Sequence, residues 1–191
     1  QDEGRKNFSH IGLPSSGAID KRNFIIANTI INNQKEDPVL EFAYQGPSLK
    51  YFGNKRFIII TGDVNFKITK NNKKEILGKC YKTIEIDNGD IIDIISTNKS
   101  VYGYFTVNGG FKINRVWGSY STTVRAEVGP NKGNKLLNGQ NINLNKSNVI
   151  QSRSLNFVNS KIEFIRVIKG TNFEFFSDQS KSDFFSKEFE V

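Results

Sequence analysis

Arg56-Phe57-Ile58-Ile59-Ile60-Thr61-Gly62-Asp63 is the stretch of sequence that decides the fold class. An apolar run of this length without polar interruption is typical of a strand that is buried on both faces. The Gly-Asp pair that follows favours a turn, because glycine accepts a positive φ and aspartate can hydrogen-bond its own backbone. The stretch therefore predicts a buried central strand over 56–61.

Shorter strand patterns, separated by turn residues, lie on both sides of this stretch. Val64, Phe66 and Ile68 alternate with polar residues, as in a half-buried strand. Asn88-Gly89 is a strong signal for a tight turn between two strands. Further strands are predicted over residues 84–86, 91–95, 101–107, 142–144 and 162–168. This spacing predicts a mainly β fold of the barrel or sandwich type.

Two segments are predicted to be helical. In residues 18–33, apolar side chains fall near one stripe at helical spacing: Ile19, Ile26, Ala27, Ile30 and Ile31. We expect Ser15 or Ser16 to cap the start of this helix and Asn32-Asn33 to end it. Residues 177–187 give a weaker second helix, and residues 145–159 are the most loop-like stretch.

The composition excludes several classes of site. The single cysteine, Cys80, excludes an internal disulfide, and with the single histidine it excludes zinc sites that need several such ligands. No apolar run reaches the roughly 18 residues that a membrane-spanning helix needs. We therefore expect a cytoplasmic protein with no membrane contact, in which Cys80 is buried and unreactive and Trp117 lies in the core.

The net charge of +8 raises the question of nucleic-acid binding. The basic residues are scattered singly along the chain, and the one short cluster, residues 70–74, falls at a predicted hairpin tip. Charge without a common face or a motif is weak evidence, so we expect no nucleic-acid partner.

Polar segments punctuated by glycine and proline carry the strongest motif signal. Residues 1–5 read Gln-Asp-Glu-Gly-Arg, and residues 10–20 read His-Ile-Gly-Leu-Pro-Ser-Ser-Gly-Ala-Ile-Asp. Further motifs follow in order: Ala27-Asn28, Glu41, Gly46-Pro47, Thr61-Gly62-Asp63, Asn108-Gly109-Gly110, Gly118-Ser119, Ser121-Thr122, Arg166-Val167-Ile168 and Gly170. Their order and spacing resemble the allophanate hydrolase subunit 2 family, which includes the 5-oxoprolinase C subunits. The family usually has Met where Ile19 stands.

The resemblance implies a mainly β, cyclophilin-like fold and an enzyme subunit that acts with companion subunits. The implied activity is that of a 5-oxoprolinase, a hydrolase that opens 5-oxoproline to L-glutamate at the expense of ATP. Two alternatives stay open within the family. One is the carboxyltransferase component of a biotin-dependent urea carboxylase, and the other is a regulatory binding protein that antagonises an inhibitor of a sporulation kinase.

The family pattern continues beyond this match, so we expect one domain over residues 1–191 that is truncated at both ends. The sequence contains no Gly-x-x-x-x-Gly-Lys-[Ser/Thr] phosphate loop. ATP, or carboxybiotin in the alternative activity, is therefore expected to need a companion subunit.

Within these motifs, His10, Asp20 and Asp63 are the candidate catalytic residues. A histidine suits proton transfer near neutral pH, and a carboxylate could orient it or the substrate. Each has a structural alternative as well. His10 could bond loop backbone, Asp20 could be a favourable charge at a helix start, and Asp63 could close a tight turn.

The candidate substrate-binding residues are small or carry a hydroxyl group: Ser15, Ser16, Gly17, Thr61, Gly62, Gly109, Gly110, Ser119 and Ser121. Serines at a helix start could hold a carboxylate together with backbone N–H groups, or could simply cap the helix. Glycines would let the backbone approach a ligand closely. No metal site is predicted. We expect the three catalytic candidates and Gly109 to face one small-molecule cleft at one rim of the β scaffold.

Overall fold

In the first unit of the chain, Gln1–Phe157, the described residues form two four-stranded antiparallel sheets, one α-helix and short 3-10 turns. The computed structural model describes residues 1–147, 151–156 and 166–188. The strands are β1 (Leu40–Ala43), β2 (Ser48–Lys50), β3 (Arg56–Thr61), β4 (Val64–Thr69), β5 (Glu75–Leu77), β6 (Ile84–Ile86), β7 (Ile91–Thr97) and β8 (Tyr102–Val107). The helix is α1 (Lys21–Ile30). A second unit, Val158–Val191, contains α2 (Asp178–Ser186).

The strand β3 occupies an inner position, as its isoleucine run predicts. The first sheet has the order β1-β8-β3-β6, and the second has the order β2-β7-β4-β5. Ile58 and Ile60 face the core between the two sheets, whereas Ile59 packs against Ala27 and Ile31 on the α1 side. An apolar residue is needed at every position because both faces of β3 are covered. The predictions of a buried central strand and of a mainly β fold are confirmed.

The core between the sheets is formed by inward-facing residues of both. From the first sheet it takes Phe105 and Val107, and from the second it takes Phe66, Ile68 and Ile92. The strand β4 follows the predicted alternation, with Val64, Phe66 and Ile68 buried between half-buried or exposed residues. Each buried aliphatic or aromatic side chain contributes roughly 1.5–3 kcal/mol relative to exposure.

The helix α1 is shorter than the predicted span of 18–33, and its cap is different. Asp20, not Ser15 or Ser16, is the N-cap, because its carboxylate accepts a hydrogen bond from Asn23 N at 2.9 Å. The apolar stripe is also shifted, since Phe24 and Ala27 are buried while Ile19 is 66% exposed. Asn32-Asn33 does end the helix, with Asn32 at φ 61.

Other expectations from the sequence have mixed outcomes. Residues 142–144 form no strand, and Leu144 makes only an isolated bridge to Phe111. The strand predicted over 162–168 lies largely outside the described residues, and 166–168 have no regular structure. The second helix is confirmed as α2, with Ser177 as its N-cap. The stretch predicted to be most loop-like, 145–159, contains no helix or named strand in its described parts, 145–147 and 151–156. Residues 148–150 and 157–159 lie outside the described residues.

The prediction that Trp117 lies in the core is wrong. Its side chain is 51% exposed and stacks on Phe8, with the ring centroids 5.4 Å apart. Cys80 is partly buried, and burial raises the pKa of its thiol, so the expectation of an unreactive cysteine agrees with its surroundings. In the parts of the chain that the structure describes, no helix combines the length and apolar character required to cross a bilayer.

A buried ion pair stabilises the tip of the second sheet. Asp90 is 1% exposed and accepts hydrogen bonds from Lys70 Nζ at 2.7 Å and from the backbone N–H of Asn71 at 3.0 Å. Burial by itself would raise the pKa of Asp90. The bonds from Lys70 and from backbone N–H groups outweigh burial and hold this pKa below its usual range.

We expect Asp90→Asn to lower the free energy of unfolding at pH 7 by about 1–3 kcal/mol, because the Lys70 ammonium loses an ionised acceptor. The folded pKa of Asp90 is lower than the unfolded one. Its stabilising contribution is therefore present above the unfolded pKa and is lost as the pH falls through the folded pKa. The variant should lose less stability than the wild type between pH 7 and pH values below 3.8.

Urea unfolding at a series of pH values measures this difference. Glu85→Gln, which removes an exposed ion pair to Lys55 at 3.5 Å, is the control and should change stability little. Identical pH dependence of the wild type and Asp90→Asn would contradict the assignment.

Candidate functional site

The two motifs nearest the start of the sequence lie side by side. Arg5 N donates to the Ser15 carbonyl at 2.6 Å, and Ala18 N donates to the Asp2 carbonyl at 2.8 Å. Glycines make this approach possible, since a Cβ on Gly17 would lie 2.8 Å from backbone atoms of residues 3 and 4. The motif at residues 1–5 is therefore a structural partner of the loop that leads into α1.

Asp2 joins this pair of segments to a third motif, residues 119–121. Its carboxylate accepts from the hydroxyl groups of Ser119, at 2.6 Å, and Ser121, and from Tyr120 N at 2.8 Å. Burial opposes the charge on Asp2, but the bonds from Ser119 and Ser121 outweigh burial and lower the pKa of this carboxyl. Both serines are fully buried, so their hydroxyl groups hold Asp2 in this structure. Their predicted role in substrate binding stays a prediction.

Arg5 and Ser16 strengthen the same junction. The Arg5 guanidinium, which is 3% exposed, donates to the Ser121 carbonyl and to Thr123 Oγ1. Ser16 Oγ lies 2.6 Å from the same Thr123 hydroxyl. The structure thus brings together five of the predicted substrate-binding residues, namely Ser15, Ser16, Gly17, Ser119 and Ser121.

The N-terminal end of α1 carries a half-buried carboxylate that is held in place from two sides. Glu41 Oε2 accepts from Tyr104 Oη and from Ile19 N, each at 2.9 Å. The phenolic oxygen of Tyr104 also accepts from Asp20 N at 2.7 Å. Burial, reinforced by the charge of Glu41, raises the pKa of Tyr104, so this hydroxyl stays protonated and donates to Glu41.

Asn23 connects the same end of α1 to the turn after β3. Its amide nitrogen donates to Asp20 Oδ2 at 2.7 Å, and its amide oxygen accepts from Tyr81 Oη at 2.8 Å. Tyr81 Oη in turn accepts from Gly62 N at 3.0 Å, and Thr61 Oγ1 donates to the Asn23 carbonyl at 2.8 Å. Asp20, Thr61 and Gly62 therefore lie in one hydrogen-bonded network, and their predicted roles stay predictions.

The other catalytic candidates lie in different surroundings. Asp63 accepts from Asn98 Nδ2 at 3.0 Å and from Lys99 N at 3.2 Å, so its carboxylate organises the turn between β7 and β8. His10 is exposed in a single 3-10 turn, Ser9–Ile11, and no hydrogen bond to its ring occurs among the described residues. Their catalytic roles stay predictions.

Gly109 and Gly110 lie at the opposite end of the first sheet from Gly62 and Asp63. Thr61 pairs with Tyr104 near the start of β8, whereas Gly109 follows the end of β8. Six strand residues separate the two ends, which corresponds to roughly 20 Å at about 3.3 Å per residue. The expectation that Asp63 and Gly109 face one cleft is therefore wrong.

The end of α1 where Glu41 lies has the groups that proton transfer needs. A half-buried carboxylate, oriented through one oxygen by Tyr104 and Ile19, can accept a proton through the other oxygen. The positive end of the α1 dipole adjoins it and favours negative charge on a bound substrate. Glu41 belongs to one of the sequence motifs but had no predicted role, and Tyr81 and Tyr104 were not among the predicted site residues. Within the described residues, no group of three or more His, Cys, Asp or Glu side chains could hold a metal ion.

Comparison with known proteins identifies the family. The profile described as "Carboxyltransferase domain, subdomain A and B" matches residues 11–191. This chain belongs to that family. The resemblance inferred from the motifs is thereby confirmed.

Curated relatives have two names. Urea amidolyase of Saccharomyces cerevisiae is 30% identical over 98% of this chain and 11% of its own length. Two further relatives are 5-oxoprolinase C subunits. The one from Haemophilus influenzae is 26% identical over 80% of this chain and 48% of its own length. The one from Escherichia coli is 23% identical over 77% of this chain and 46% of its own length. This chain thus spans about one tenth of the first relative and about half of the other two.

Two solved structures support the same family. The urea amidolyase of K. lactis superposes with a TM-score of 0.68 at 28% identity, over 75% of this chain and 8% of its own chain. The urea carboxylase of Kluyveromyces lactis gives a TM-score of 0.68 at 27% identity, over 79% of this chain and 13% of its own.

We expect Asp20→Ala to destabilise the protein by about 1 kcal/mol, because α1 loses the side chain that caps it. Asp20→Asn should keep most of this stability, since asparagine caps helices about as well as aspartate does. Thermal unfolding followed by circular dichroism measures both variants. Equal unfolding temperatures for Asp20→Ala and the wild type would show that the cap contributes nothing.

Proposed function

We propose that this chain is part of a 5-oxoprolinase subunit that opens 5-oxoproline to L-glutamate together with companion subunits. The observation that carries the proposal is the match to two bacterial 5-oxoprolinase C subunits over 80% and 77% of this chain. The subunit name of these relatives supports the involvement of companion chains. We assign ATP chemistry to the assembled complex, because the sequence contains no phosphate loop of the Walker type.

The Glu41 site supplies chemistry that suits a lactam substrate. Ring opening breaks the C–N bond of the lactam, adds water across it, and requires a base for the attacking oxygen and a proton for the leaving nitrogen. Glu41 is the proposed base, because Tyr104 Oη and Ile19 N hold one carboxylate oxygen. The positive end of α1 would favour the carboxylate of 5-oxoproline beside it.

Carboxyl transfer to urea is the second candidate function, and the relative with 30% identity over 98% of this chain, a urea amidolyase, favours it. In that reaction carboxybiotin, carried on another domain, would donate the carboxyl group. The urea nitrogen would attack the carboxyl carbon and the bond from that carbon to the biotin nitrogen would break. Glu41 would accept the proton of the attacking nitrogen and return it to the biotin nitrogen that leaves. Both functions use the same carboxylate, and the substrate distinguishes them.

We expect Glu41→Gln to lower the turnover of the assembled complex by about 100-fold or more, because the amide cannot accept the proton. The full-length protein is purified with its companion subunits, and L-glutamate release from 5-oxoproline and carboxybiotin consumption with urea are measured in parallel. Glu75→Gln, on the exposed edge strand β5, is the matched control and should keep full activity. Wild-type activity of Glu41→Gln in both assays would exclude the proposed base.

We also expect that this chain without companion subunits releases no ADP from ATP. A coupled assay of the purified chain, with and without 5-oxoproline, measures this directly. ADP release in proportion to the chain would contradict the assignment of ATP chemistry to the complex.

A further inference from the structure

The carboxylate of Glu41 stands at the end of a series of hydrogen bonds that begins at the turn after β3. Tyr104 Oη donates to Glu41 Oε2 at 2.9 Å, and the same hydroxyl oxygen accepts from Asp20 N at 2.7 Å. The N–H of Asp20 occupies one lone pair of this oxygen, which orients the hydroxyl proton away from Asp20 and towards Glu41. The position of Asp20 therefore decides the direction in which Tyr104 donates.

Asn23 fixes the position of Asp20. Its backbone N–H and its side-chain amide nitrogen donate to the two oxygens of the Asp20 carboxylate, at 2.9 and 2.7 Å. Asn23 is 7% exposed, and Thr61 Oγ1 donates to its carbonyl at 2.8 Å. Because one residue binds both oxygens of Asp20, a displacement of the Asn23 side chain would also displace Asp20.

Tyr81 determines the orientation of the Asn23 amide. Tyr81 Oη donates to Asn23 Oδ1 at 2.8 Å and accepts from Gly62 N at 3.0 Å. Burial raises the pKa of Tyr81, so its hydroxyl keeps the proton that it donates. If the oxygen and nitrogen of the amide were exchanged, the amide oxygen would face the Asp20 carboxylate and repel it. The amide therefore has one stable orientation.

The backbone of Tyr81 has an uncommon conformation at this position. Its φ is 58°, in the left-handed region that bulky residues rarely adopt. Tyr81 N donates to the Ile60 carbonyl at 2.9 Å, and Leu155 N donates to the Tyr81 carbonyl at 2.8 Å. These two bonds maintain the conformation beside β3. Such conformations persist only where the surrounding structure enforces them, and they cluster at functional sites.

All hydrogen bonds in this series run in the same sense, from the turn after β3 towards Glu41. Aligned hydrogen bonds polarise and strengthen one another by about 10–30% per bond, and the conjugated amide of Asn23 transmits this polarisation. At Asp20 the connection is mechanical, since its carboxylate anchors the residue whose N–H orients the next hydroxyl group. We call the four residues that support Glu41 the Tyr81 network; they are Tyr81, Asn23, Asp20 and Tyr104.

We propose that Asn23 and Tyr81 are positioning residues for Glu41. They hold Asp20 and Tyr104 so that Tyr104 binds one carboxylate oxygen of Glu41 and leaves the other to accept a proton. Glu41 needs this support because it lies on the edge strand β1 and its long side chain has several rotatable bonds. The inference rests on the proposed function, in which Glu41 is the base, and extends that site to the turn after β3.

NMR of the intact chain tests the network without reference to activity. Two signals report on it, namely the hydroxyl proton of Tyr104, which is fully buried, and the side-chain carboxylate carbon of Glu41. We expect Tyr81→Phe to shift both signals, because the network loses its first hydroxyl group. Tyr51→Phe removes the hydroxyl of another buried tyrosine, which donates to the Asn54 carbonyl at 2.6 Å, and should shift neither. Unchanged signals in Tyr81→Phe would overturn the proposal.

Kinetics of the full-length protein in its assembled complex test the consequence for catalysis. We expect Tyr81→Phe to lower kcat about 10-fold with little change in KM, because a displaced base slows the chemical step more than it weakens substrate binding. Tyr51→Phe should keep the wild-type kcat. In the Glu41→Gln background, Tyr81→Phe should cause no further loss, since a residue that acts through Glu41 then has no base to position.

The outcomes separate this inference from the proposed function. If Tyr81 only stabilised the fold, Tyr81→Phe would lower the unfolding temperature and leave the kcat of the folded protein unchanged, which would contradict the positioning role. Effects of Tyr81→Phe and Glu41→Gln that multiply in the double variant would contradict it as well. Wild-type activity of Glu41→Gln would instead exclude the proposed base, and the NMR signals would still decide whether the network holds the Glu41 carboxylate.

Discussion

The two-sided burial of β3 is the constraint on which the rest of this structure depends. Ile58 and Ile60 close the space between the sheets, and Ile59 forms the surface on which α1 lies. Because β3 and β8 pair along their length, the helix that covers β3 also runs along β8. The position of α1 then decides where its two ends lie. One end meets Glu41 and Tyr104, and the other is followed by Asn33, which bonds to the backbone of Val107 and Gly109.

The two ends of α1 are chemically opposite. At the N-terminal end, Asp20 satisfies backbone N–H groups, and the helix dipole favours negative charge. At the C-terminal end, carbonyl groups and Asp37 create a negative potential. Because α1 is packed on β3 and β8, its two ends of opposite polarity are held at a fixed separation. Under the proposed function, the carboxylate of 5-oxoproline suits the first end better than the second.

The fold was predictable where its signal is local in the sequence. The site was not predictable, because strand pairing brings its residues together. The run at 56–61 needs no partner to be recognised, because apolar residues on both faces appear as an uninterrupted stretch. The cap of α1 could not be chosen by sequence, since Ser15, Ser16 and Asp20 are all good N-caps. The choice depends on Tyr104, which holds Asp20 N from a strand 84 residues away. Glu41 gains its significance in the same way, from its register opposite Tyr104.

The single-cleft expectation failed for a geometric reason. Gly62-Asp63 follows β3 and Asn108-Gly109 follows β8, and such strand ends gather at one edge only when the strands are parallel. The pairing of β3 with β8 is antiparallel, so their C-terminal ends lie at opposite edges. The turn residues and the strand lengths do not reveal whether β3 and β8 run parallel or antiparallel, because the path of the chain through the second sheet fixes their relative direction.

The contact of Asp2 with Ser119 and Ser121 joins positions 117 and 119 residues apart. During synthesis the ribosome delivers the partners of Asp2 long after Asp2 itself, so this carboxylate waits in solvent while both sheets assemble. Contacts of such large sequence separation are slow to form, because a long loop must close before the contact stabilises anything. The bonds from Ser119 and Ser121 to the Asp2 carboxylate are therefore expected to form late in folding. A nascent chain that ends before residue 119 would hold residues 1–5 against the loop leading into α1 only through short-range backbone bonds, with the Asp2 carboxylate still open to solvent.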